Sequence, residues 1–313
     1  MQTLLLILLT LIAVLMMVYW LAPETLVQLA LQAERSRARL RRHQHRVGAF
    51  NWVYLDSGGS GEPLVLVHGF GGDKDNWTRL ARHLRHRFRV IIPDLPGYGE
   101  SDSPSEMRYR VQDEVRRMHD LLAALGIKKA HLAGNSMGGY IVALYAATYP
   151  KNTISLWLIN NAGAFSAPPS ELLRTLEAGA GNPLLPDNLE QFRRLLGYVM
   201  SKPPYFPGAV IDVLGRRALA MRELRSQQFA DIRDHSPHLE DVLPGLKVPT
   251  HILWGDQDRL IHVDSVGVLC RLLPQASHTI LQGIGHVPML EAPEASAQDY
   301  LAFHDRLKSD MPV

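Results

Sequence analysis

The sequence predicts an α/β fold built on a mostly parallel sheet that starts near residue 50. Short apolar runs alternate with amphipathic stretches of helical periodicity, and the clearest of these stretches are 106–125, 137–149 and 291–308. Several runs are continuously apolar, which is typical of strands covered on both faces. Strand–helix alternation favours parallel pairing with right-handed crossovers. The predicted strands are FNWVYL (50–55), PLVLVHG (63–69), FRVIIPD (88–94), AHLAG (130–134), ISLWLI (154–159), THILWG (250–255) and HTILQ (278–282).

One long interval interrupts this alternation. From 165 to 245 no strand is predicted, and helical blocks are separated by the proline-rich stretches APPS, GNPLLP and SKPPYFPG. A connection of this length inside a compact domain is uncommon unless it is functional. We therefore predict a core formed by 47–164 and 246–313, with 165–245 as an inserted helical subdomain.

The chain opens on a segment unlike the rest. Residues 1–23 carry no charged side chain, and almost all of them are apolar. About 20 helical residues span roughly 30 Å, the thickness of the hydrocarbon core of a bilayer. A cleaved signal peptide and a buried core helix are the alternatives, but the segment lacks the basic start and small-residue cleavage site of a signal peptide. We predict a retained single-pass transmembrane anchor.

The next segment, 24–46, is basic. It contains six arginines and two glutamates, whereas the other 27 basic and 29 acidic residues of the chain give a charge of −2. Apolar residues at helical spacing predict a juxtamembrane helix suited to anionic headgroups. The alternative is a solvated linker helix. Nucleic acid is not an expected partner, because the basic residues adjoin the anchor and the remainder is not basic.

Composition excludes several classes of protein. Charged residues make up 20% and hydrophobic residues 46% of the 313, which indicates a globular chain rather than a disordered or polytopic membrane one. Cys270 is the only cysteine, so a disulfide framework within the chain and a cysteine-rich metal site are both excluded. No clustered ligand spacing indicates a metal site either, and the sequence predicts no cofactor.

Gly134, Ser136 and Gly138 form a G-x-S-x-G pattern inside GNSMGG. The pattern alone is weak, but a predicted strand ends at Gly134 and a helix begins directly after the serine. A serine on such a sharp strand-to-helix turn has its hydroxyl exposed above the sheet. The helix start also directs backbone N–H groups at developing negative charge. A glycine-rich turn with an idle serine is the alternative.

A nucleophilic serine needs a base and a group that orients the base. His286 follows a predicted strand within QGIGHVPMLEAPE, and both Asp256 and Asp258 follow another within ILWGDQD. Parallel sheets place their sites at the carboxyl ends of strands, so we expect these side chains near Ser136. The order serine, aspartate, histidine along the chain supports a triad.

An oxyanion hole needs two backbone donors. The residue after the nucleophile, Met137, is one candidate, and the loop HGFGGDKDNW (68–77) supplies a second at Phe70, after His68 and Gly69. We expect His68 to bind loop backbone rather than to act in catalysis.

The combination of HGFGG, PDLPGYGESD, GNSMGG, WGDQD and GIGHVPMLEAP resembles the α/β-hydrolase family from about residue 50 to the end. The anchor, HGFGGDKDNW, SMGG and YAATYP are similar to membrane-anchored monoacylglycerol lipases and bacterial membrane phospholipases A. The resemblance implies an eight-stranded, mostly parallel sheet flanked by helices, with 165–245 as a helical cap (lid) over the active site. It implies Ser136 as nucleophile, Asp258 as acid, His286 as base and Phe70 and Met137 as oxyanion donors.

The resemblance implies hydrolysis of carboxylic esters of lipids through an acyl-enzyme: monoacylglycerol, lysophospholipid or phospholipid. A serine elbow argues against the aspartate chemistry of dehalogenases and epoxide hydrolases. A carbon–carbon bond hydrolase, a soluble-metabolite esterase and a non-catalytic receptor or scaffold are the alternatives. HGFGG and GHVPML differ from the Gly-Pro-rich loop and nearby tryptophan of carbon–carbon bond hydrolases.

Apolar cap residues are predicted to line an acyl tunnel, although cap packing explains most of them equally well. Leu185, Leu196, Tyr198 and Phe206 are the chief candidates. Expected partners are the lipid substrate, the fatty-acid product, the bilayer and a second copy of the chain, bound through the anchor and juxtamembrane helix. Arginines after the anchor favour a cytoplasmic catalytic domain. The resemblance to bacterial anchored lipases favours the periplasmic side of the inner membrane, which we expect.

Overall fold

The computed structural model describes residues 2–104 and 106–309. Its eight strands form one sheet in the order β1-β2-β4-β3-β5-β6-β7-β8. The β1–β2 and β2–β4 pairs are antiparallel and the others parallel, which confirms the mostly parallel eight-stranded sheet. The strands are β1 Arg41–Val47, β2 Phe50–Asp56, β3 Glu62–Val67, β4 Phe88–Pro93, β5 Ala130–Asn135, β6 Thr153–Ile159, β7 Thr250–Gly255 and β8 Ser277–Leu281.

Helices cover both faces of the sheet. Because consecutive strand residues point to opposite faces, Leu64 and Leu66 of β3 lie in one hydrophobic cluster and Val65 and Val67 in the other. This explains why the predicted strands are continuously apolar. The helices are α1 Gln2–Leu21, α2 Pro23–Arg37, α3 Thr78–Leu84, α4 Val111–Ala124, α5 Met137–Thr148, α6 Glu171–Glu177, α7 Leu189–Val199, α8 Gly208–Ala220, α9 Arg222–Asp234, α10 Leu239–Val242, α11 Ser265–Leu272, α12 Pro288–Glu291 and α13 Pro293–Ser309.

The predicted cap segment, residues 165–245, is described in full and holds α6 to α10 with no strand. Asp231 of α9 is buried, and it accepts hydrogen bonds from the backbone N–H of Tyr109 at 2.8 Å and from Arg108 at 3.0 Å. The segment is therefore bound to the core through the stretch that leads into α4.

The prediction of a single helix over 24–46 is wrong after Arg37, where α2 ends. Arg39 has φ +50°, and the N–H of Leu40 bonds back to the carbonyl of Arg35 at 2.8 Å, which closes the helix after Arg37. The following charged and polar residues, 41–46, form edge strand β1, because β2 offers an antiparallel partner over its whole length. Charged side chains on an edge strand oppose pairing with other chains.

Helix α2 is not a solvated linker. Arg35 makes two hydrogen bonds of 2.6 Å to the carboxylate of Asp75, and Val27 is buried with Val210 and Val213 of α8. Of the predicted anchor, α1 covers all but the ends, and Met1 lies outside the described residues. No helix in the described part of the chain combines the length and the apolarity that crossing a membrane requires.

Candidate active site

Ser136 occupies the turn between β5 and α5. Its φ of +56° and ψ of −120° are strained for a residue with a side chain, and the α5 helix begins at the next residue. Ser136 is partly exposed, although residues 130–135 and 137–146 around it are all buried. The turn thus presents one accessible residue at the carboxyl edge of the sheet.

Glycines make this turn possible by close approach. A Cβ at Gly134 would lie 2.2 Å from the carbonyl oxygen of Gly138, and a Cβ at Gly138 would lie 2.2 Å from that of Val67. Gly69 lets the 68–77 loop pack on the turn, because a Cβ there would lie 3.0 Å from the Cβ of Ser136. The structure therefore brings together all three glycines that the motifs predicted.

Asp258 and His286 meet directly. Nδ1 of His286 lies 2.8 Å from Oδ2 of Asp258, and both side chains are almost completely buried. Oδ1 of Asp258 accepts from the N–H groups of Leu260 at 2.8 Å and Ile261 at 3.1 Å. Because the carboxylate only accepts, Nδ1 carries the proton, which leaves the lone pair on Nε2 of His286.

The other carboxylate of the ILWGDQD stretch, Asp256, has a different task. Its Oδ1 accepts a 2.6 Å hydrogen bond from the N–H of Gly283, in the turn after β8. Asp256 thus stabilises the turn that begins the loop carrying His286. Asp258 is the carboxylate that bonds the His286 side chain.

Asn160 is a site residue that the sequence interpretation missed. It follows β6 with φ +42°, and its amide Nδ2 donates to Oδ2 of Asp258 at 2.7 Å. Its Oδ1 accepts from the N–H of Gly255, so it joins the ends of β6 and β7. Asn135 plays a similar part, donating to the carbonyl of His286 at 2.9 Å. Asn135 ends β5 and Asn160 follows β6, and parallel sheets place their sites at the carboxyl ends of strands. Their positions in the sequence therefore could have marked both residues as candidates for the site.

The histidine loop is also tied to the cap segment. The N–H of His286 donates to the carbonyl of Val199, at the end of α7, at 2.9 Å. One carboxylate, Glu291 of α12, accepts from the N–H groups of Gly285 at 3.1 Å and of Ser201 at 2.8 Å. A shift of this part of the cap would therefore move the loop that carries His286.

His68 binds backbone, as expected. Its Nε2 accepts from the N–H of Leu95 at 3.1 Å, and its Nδ1 lies 2.9 Å from the carbonyl of Gly69. Complete burial lowers the pKa of His68 to about 4, so the ring is neutral at pH 7. It joins the 68–77 loop to the segment after β4.

A buried ion pair holds the same two segments together. Nζ of Lys74 lies 2.7 Å from Oδ2 of Asp94, and neither side chain is exposed to solvent to any extent. Nζ also lies 2.8 Å from Glu100. Burial raises the pKa of Glu100, but Lys74 and Arg42 outweigh it and bring the pKa down to about 2.

Phe70 and Met137 lie on either side of Tyr98. The Tyr98 ring packs edge-on against Phe70, with centroids 6.5 Å apart, and its hydroxyl donates to Sδ of Met137 at 3.4 Å. Phe70 also contacts Phe229 of α9, with centroids 5.7 Å apart. The two predicted oxyanion residues are thus held by a common tyrosine, which the sequence interpretation did not single out.

The predicted tunnel residues fall in different surroundings. Tyr198 lies under the guanidinium of Arg259, 4.5 Å from its ring centroid, and so beside the Asp258 loop. Leu185 and Leu196 are partly buried in the cap segment. Phe206 packs instead with Val27 of α2 in the cluster that joins α2 to α8.

Comparisons with known proteins agree with this geometry. The α/β hydrolase fold family matches residues 62–197. Lipase 1 of Psychrobacter immobilis is 42% identical over 262 residues, 82% of this chain and 81% of that protein. The chain belongs to the α/β-hydrolase family. Like the family, it is a carboxylic ester hydrolase with a serine–histidine–aspartate set.

Two further relatives narrow the resemblance within the α/β hydrolases. A crystal structure of a membrane phospholipase A, described as a bacterial virulence factor, superposes with a TM-score of 0.90 at 43% identity, covering 98% of this chain and 99% of that one. Monoacylglycerol lipase ABHD6 of Mus musculus is 27% identical over 279 residues, 84% of this chain and 82% of that protein. The resemblance predicted from the motifs is confirmed.

Proposed function

We propose that this α/β hydrolase cleaves carboxylic esters of lipids, such as monoacylglycerols, lysophospholipids or phospholipid acyl esters, with Ser136 as nucleophile. The observation that carries the proposal is the Asp258–His286 pair, whose geometry leaves a free imidazole lone pair at the strand edge where Ser136 is exposed. Acyl transfer to serine requires such a base and a group that orients it.

In the proposed mechanism, Nε2 of His286 takes the hydroxyl proton as Oγ of Ser136 attacks the ester carbonyl. Asp258 stabilises the imidazolium, and the N–H groups of Phe70 and Met137 hold the oxyanion. The imidazolium then gives its proton to the leaving alcohol, and an acyl-enzyme remains. Water, deprotonated by His286, releases the fatty acid and restores Ser136. No step uses a metal or an organic cofactor.

Hydrolysis of a medium-chain p-nitrophenyl ester tests the nucleophile. Ser136→Ala is expected to lower kcat by at least about 1,000-fold, because the remaining rate comes from binding and the oxyanion hole alone. Ser60→Ala is the matched control, since Ser60 is exposed in the turn before β3. Equal rates for the wild type and Ser136→Ala would refute the proposal and favour a receptor or scaffold.

Lipid specificity is tested by chain length. The similarity to a lipase, a monoacylglycerol lipase and a membrane phospholipase A supports a lipid ester as substrate. We expect hydrolysis of medium- and long-chain monoacylglycerols and lysophospholipids to exceed that of acetyl esters. Activity confined to acetyl esters would establish a soluble-metabolite esterase, and cleavage of a vinylogous diketone without ester hydrolysis would establish a carbon–carbon bond hydrolase.

The cap segment is proposed to cover the site and to bind the acyl chain. The contacts of Phe70 with Phe229 and of His286 with Val199 support this placement. Leu185, Leu196 and Tyr198 are the proposed tunnel residues, whereas Phe206 joins the cap to α2. Leu196→Trp should shift the preference towards shorter chains if the tunnel passes this side chain. An unchanged preference would remove Leu196 from the tunnel.

We also propose that residues 1–23 anchor the chain in the bacterial inner membrane. Their lack of charge supports this, together with the exposure of the apolar side chains of Leu4, Leu5, Leu6 and Ile7. The full chain should stay in the membrane fraction after an alkaline wash, and release into the supernatant would refute anchoring. Periplasmic placement predicts that protease digests the domain in spheroplasts, and complete protection would place it in the cytoplasm.

Self-association through the first two helices is a further proposal. An apolar segment of this length offers a second copy a matching surface within the bilayer. Cross-linking in membranes and light scattering in detergent should both detect a dimer. Monomer alone in both experiments would contradict it.

A further inference from the structure

Three ligating side chains meet at the edge of the sheet opposite Ser136. Glu62 begins β3, His131 lies at the start of β5, and His304 lies on α13, which covers this face. Oε2 of Glu62 is 3.6 Å from Nε2 of His131 and 3.8 Å from Nε2 of His304. All three ligating atoms lie within 4.8 Å of one another. They come from three separate segments, so no local spacing in the sequence revealed them.

The histidine at the centre of this cluster has an unexplained buried atom. His131 is only 2% exposed, and its Nε2 has no hydrogen-bond partner among the described residues. Leaving such a nitrogen unpaired is costly, and most buried polar atoms in proteins are paired. Glu62 at 3.6 Å is too far away to accept a hydrogen bond. A ligand held between the three side chains would remove this deficit.

The surroundings of His131 suit a metal ligand. Nδ1 of His131 lies 2.8 Å from Oγ of Ser155, and when Nδ1 donates this hydrogen bond the lone pair of Nε2 is available to a metal ion. The Phe88 ring packs edge-on against His131 and His304, with centroids 5.3 and 4.6 Å away. Glu62 is half exposed, so an ion can enter from solvent and keep one water.

Two positively charged side chains lie near the cluster and would repel a bound cation. Nζ of Lys308 lies 3.8 Å from Oε2 of Glu62, and its side chain is half exposed, so it is free to turn away. Arg87 lies 3.5 Å from Nδ1 of His304, at the outer limit of a hydrogen bond, and is ion-paired with Asp305. Because a guanidinium only donates, this weak contact must open before the proton of His304 can move to Nδ1 and leave the Nε2 lone pair for a metal ion.

We propose that Glu62, His131 and His304 bind a divalent first-row metal ion, with zinc as the best fit, and that the ion holds α13 to the sheet. Two imidazoles and a carboxylate plus water are an established zinc ligand set. Tetrahedral bonding at about 2.1 Å sets neighbouring ligand atoms roughly 3.4 Å apart. The distances from Glu62 to the two histidines, 3.6 and 3.8 Å, exceed this value by a few tenths of an ångström, and the two imidazole nitrogens, within 4.8 Å of each other, close on the ion by rotation of the side chains. The site is separate from the ester-hydrolysing residues.

The first test is metal binding by the full-length chain in detergent after treatment with a chelator. Titration with Zn²⁺, followed by calorimetry, and with Co²⁺, followed by its visible absorption, should give one ion per chain. Glu62→Gln should weaken binding at least about 10-fold. It should leave the fold intact, because the Glu62 side chain is half exposed at the surface. Lys308→Met should tighten binding, since it removes the nearest positive charge.

The control is the double variant His43→Asn, His45→Asn. These two exposed histidines lie on the same face of β1 and are the obvious adventitious site. Binding that this variant abolishes, or that Glu62→Gln leaves unchanged, would overturn the proposal. Absence of binding by the wild type would do the same.

A second readout tests the structural role. Excess Zn²⁺ should raise the melting temperature of the wild type but not of Glu62→Gln, because only the native site binds the ion. Ester hydrolysis should be equal with and without chelator, since the ion lies far from Ser136. An equal melting-temperature rise in both proteins would refute the site, whereas loss of activity in Ser136→Ala bears only on the proposed hydrolase.

Discussion

At the scale of single residues, the carboxylate of Asp258 is held by four donors. Two backbone N–H groups bind Oδ1, while Nδ1 of His286 and the amide of Asn160 bind Oδ2. A buried carboxylate costs much less free energy when every acceptor position is used. The arrangement leaves His286 little rotational freedom, since its Nδ1 is held by Asp258.

Asn160→Asp should show how much the amide donor matters. The substitution keeps the shape and tolerates the left-handed backbone, but it places an acceptor beside Oδ2 of Asp258. We expect kcat for the p-nitrophenyl ester to fall at least about 10-fold at neutral pH, with little change in KM. Asn188→Asp is the control, because Asn188 is the exposed N-cap of α7 and its side-chain oxygen accepts from the N–H of Gln191, which aspartate can also do. Equal effects of the two variants would contradict a positioning role.

The buried His68 is expected to make the folded chain less stable in mild acid. Its pKa is about 4 in the folded chain, because of burial, against about 6.5 when unfolded. Between these values the unfolded state binds more protons, so stability is lost as the pH falls from about 6.5 to 4, by up to about 3 kcal/mol. His68→Gln cannot titrate and should flatten this part of the urea-unfolding curve against pH. His235→Gln, at an exposed position, should not, and a wild-type slope in His68→Gln would refute the assignment.

At the scale of elements, the elbow depends on three segments that nearly touch. The start of α5 lies against the end of β3 and the 68–77 loop, with glycines at the points of closest approach. The left-handed Ser136 lies between a strand and a helix that are both buried, so surrounding packing maintains its strain. The helix N-terminus then faces the region where an oxyanion would form.

Gly138→Ala should disrupt this contact. The new Cβ would lie 2.2 and 2.5 Å from the carbonyl oxygens of Val67 and His68, and backbone cannot move aside as a side chain can. We expect a loss of about 3 kcal/mol or more of stability, seen as a lower melting temperature, and loss of ester hydrolysis. Gly197→Ala in α7 is the matched control, because nothing lies within 4 Å of its Cβ. It should be neutral or stabilising by up to about 1 kcal/mol.

At the scale of the whole molecule, α2 connects the apolar N-terminal segment to the site. Arg35 binds Asp75 in the 68–77 loop, and Glu24 pairs with Arg217 of the cap segment. Val27 is buried against α8. Helix α2, which directly follows α1, is therefore joined to both the 68–77 loop and the cap segment.

Deleting residues 2–21 tests whether α1 serves membrane binding and is not needed for folding or for hydrolysis of a soluble ester. The contacts of α2 with Asp75 and α8 remain, so the shortened chain should fold and hydrolyse a short-chain, water-soluble ester at close to the full-length rate. It should leave the membrane fraction and lose most of its activity on bilayer-bound lipid. Arg35→Met in the full chain is the contrasting variant, expected to stay in membranes with a lower melting temperature. Loss of soluble-ester activity in the deletion would show that α1 takes part in the fold.

Prediction from sequence succeeded where the signal was local or repeated. The alternation of apolar runs and amphipathic stretches predicted the mostly parallel sheet. The motifs at strand ends pointed to Asp258 and His286, which bond each other in the structure, while their catalytic role with Ser136 stays a prediction. It failed at 41–47, because a polar segment becomes a strand only when β2 is there to pair with it. Asn160 was missed because a single polar residue after a strand has meaning only beside Asp258.

The sequence alone determined the fold class, the elbow and the apolar N-terminal segment, since each follows from the periodicity or chemistry of neighbouring residues. Only the tertiary structure showed that Asp258 pairs with His286 while Asp256 bonds Gly283, placed Tyr98 between the predicted oxyanion residues, and docked α2 on Asp75. It also brought Glu62, His131 and His304 together. These contacts join residues far apart in the chain. They depend on how the elements pack and on hydrogen-bond geometry, and a local sequence pattern contains neither.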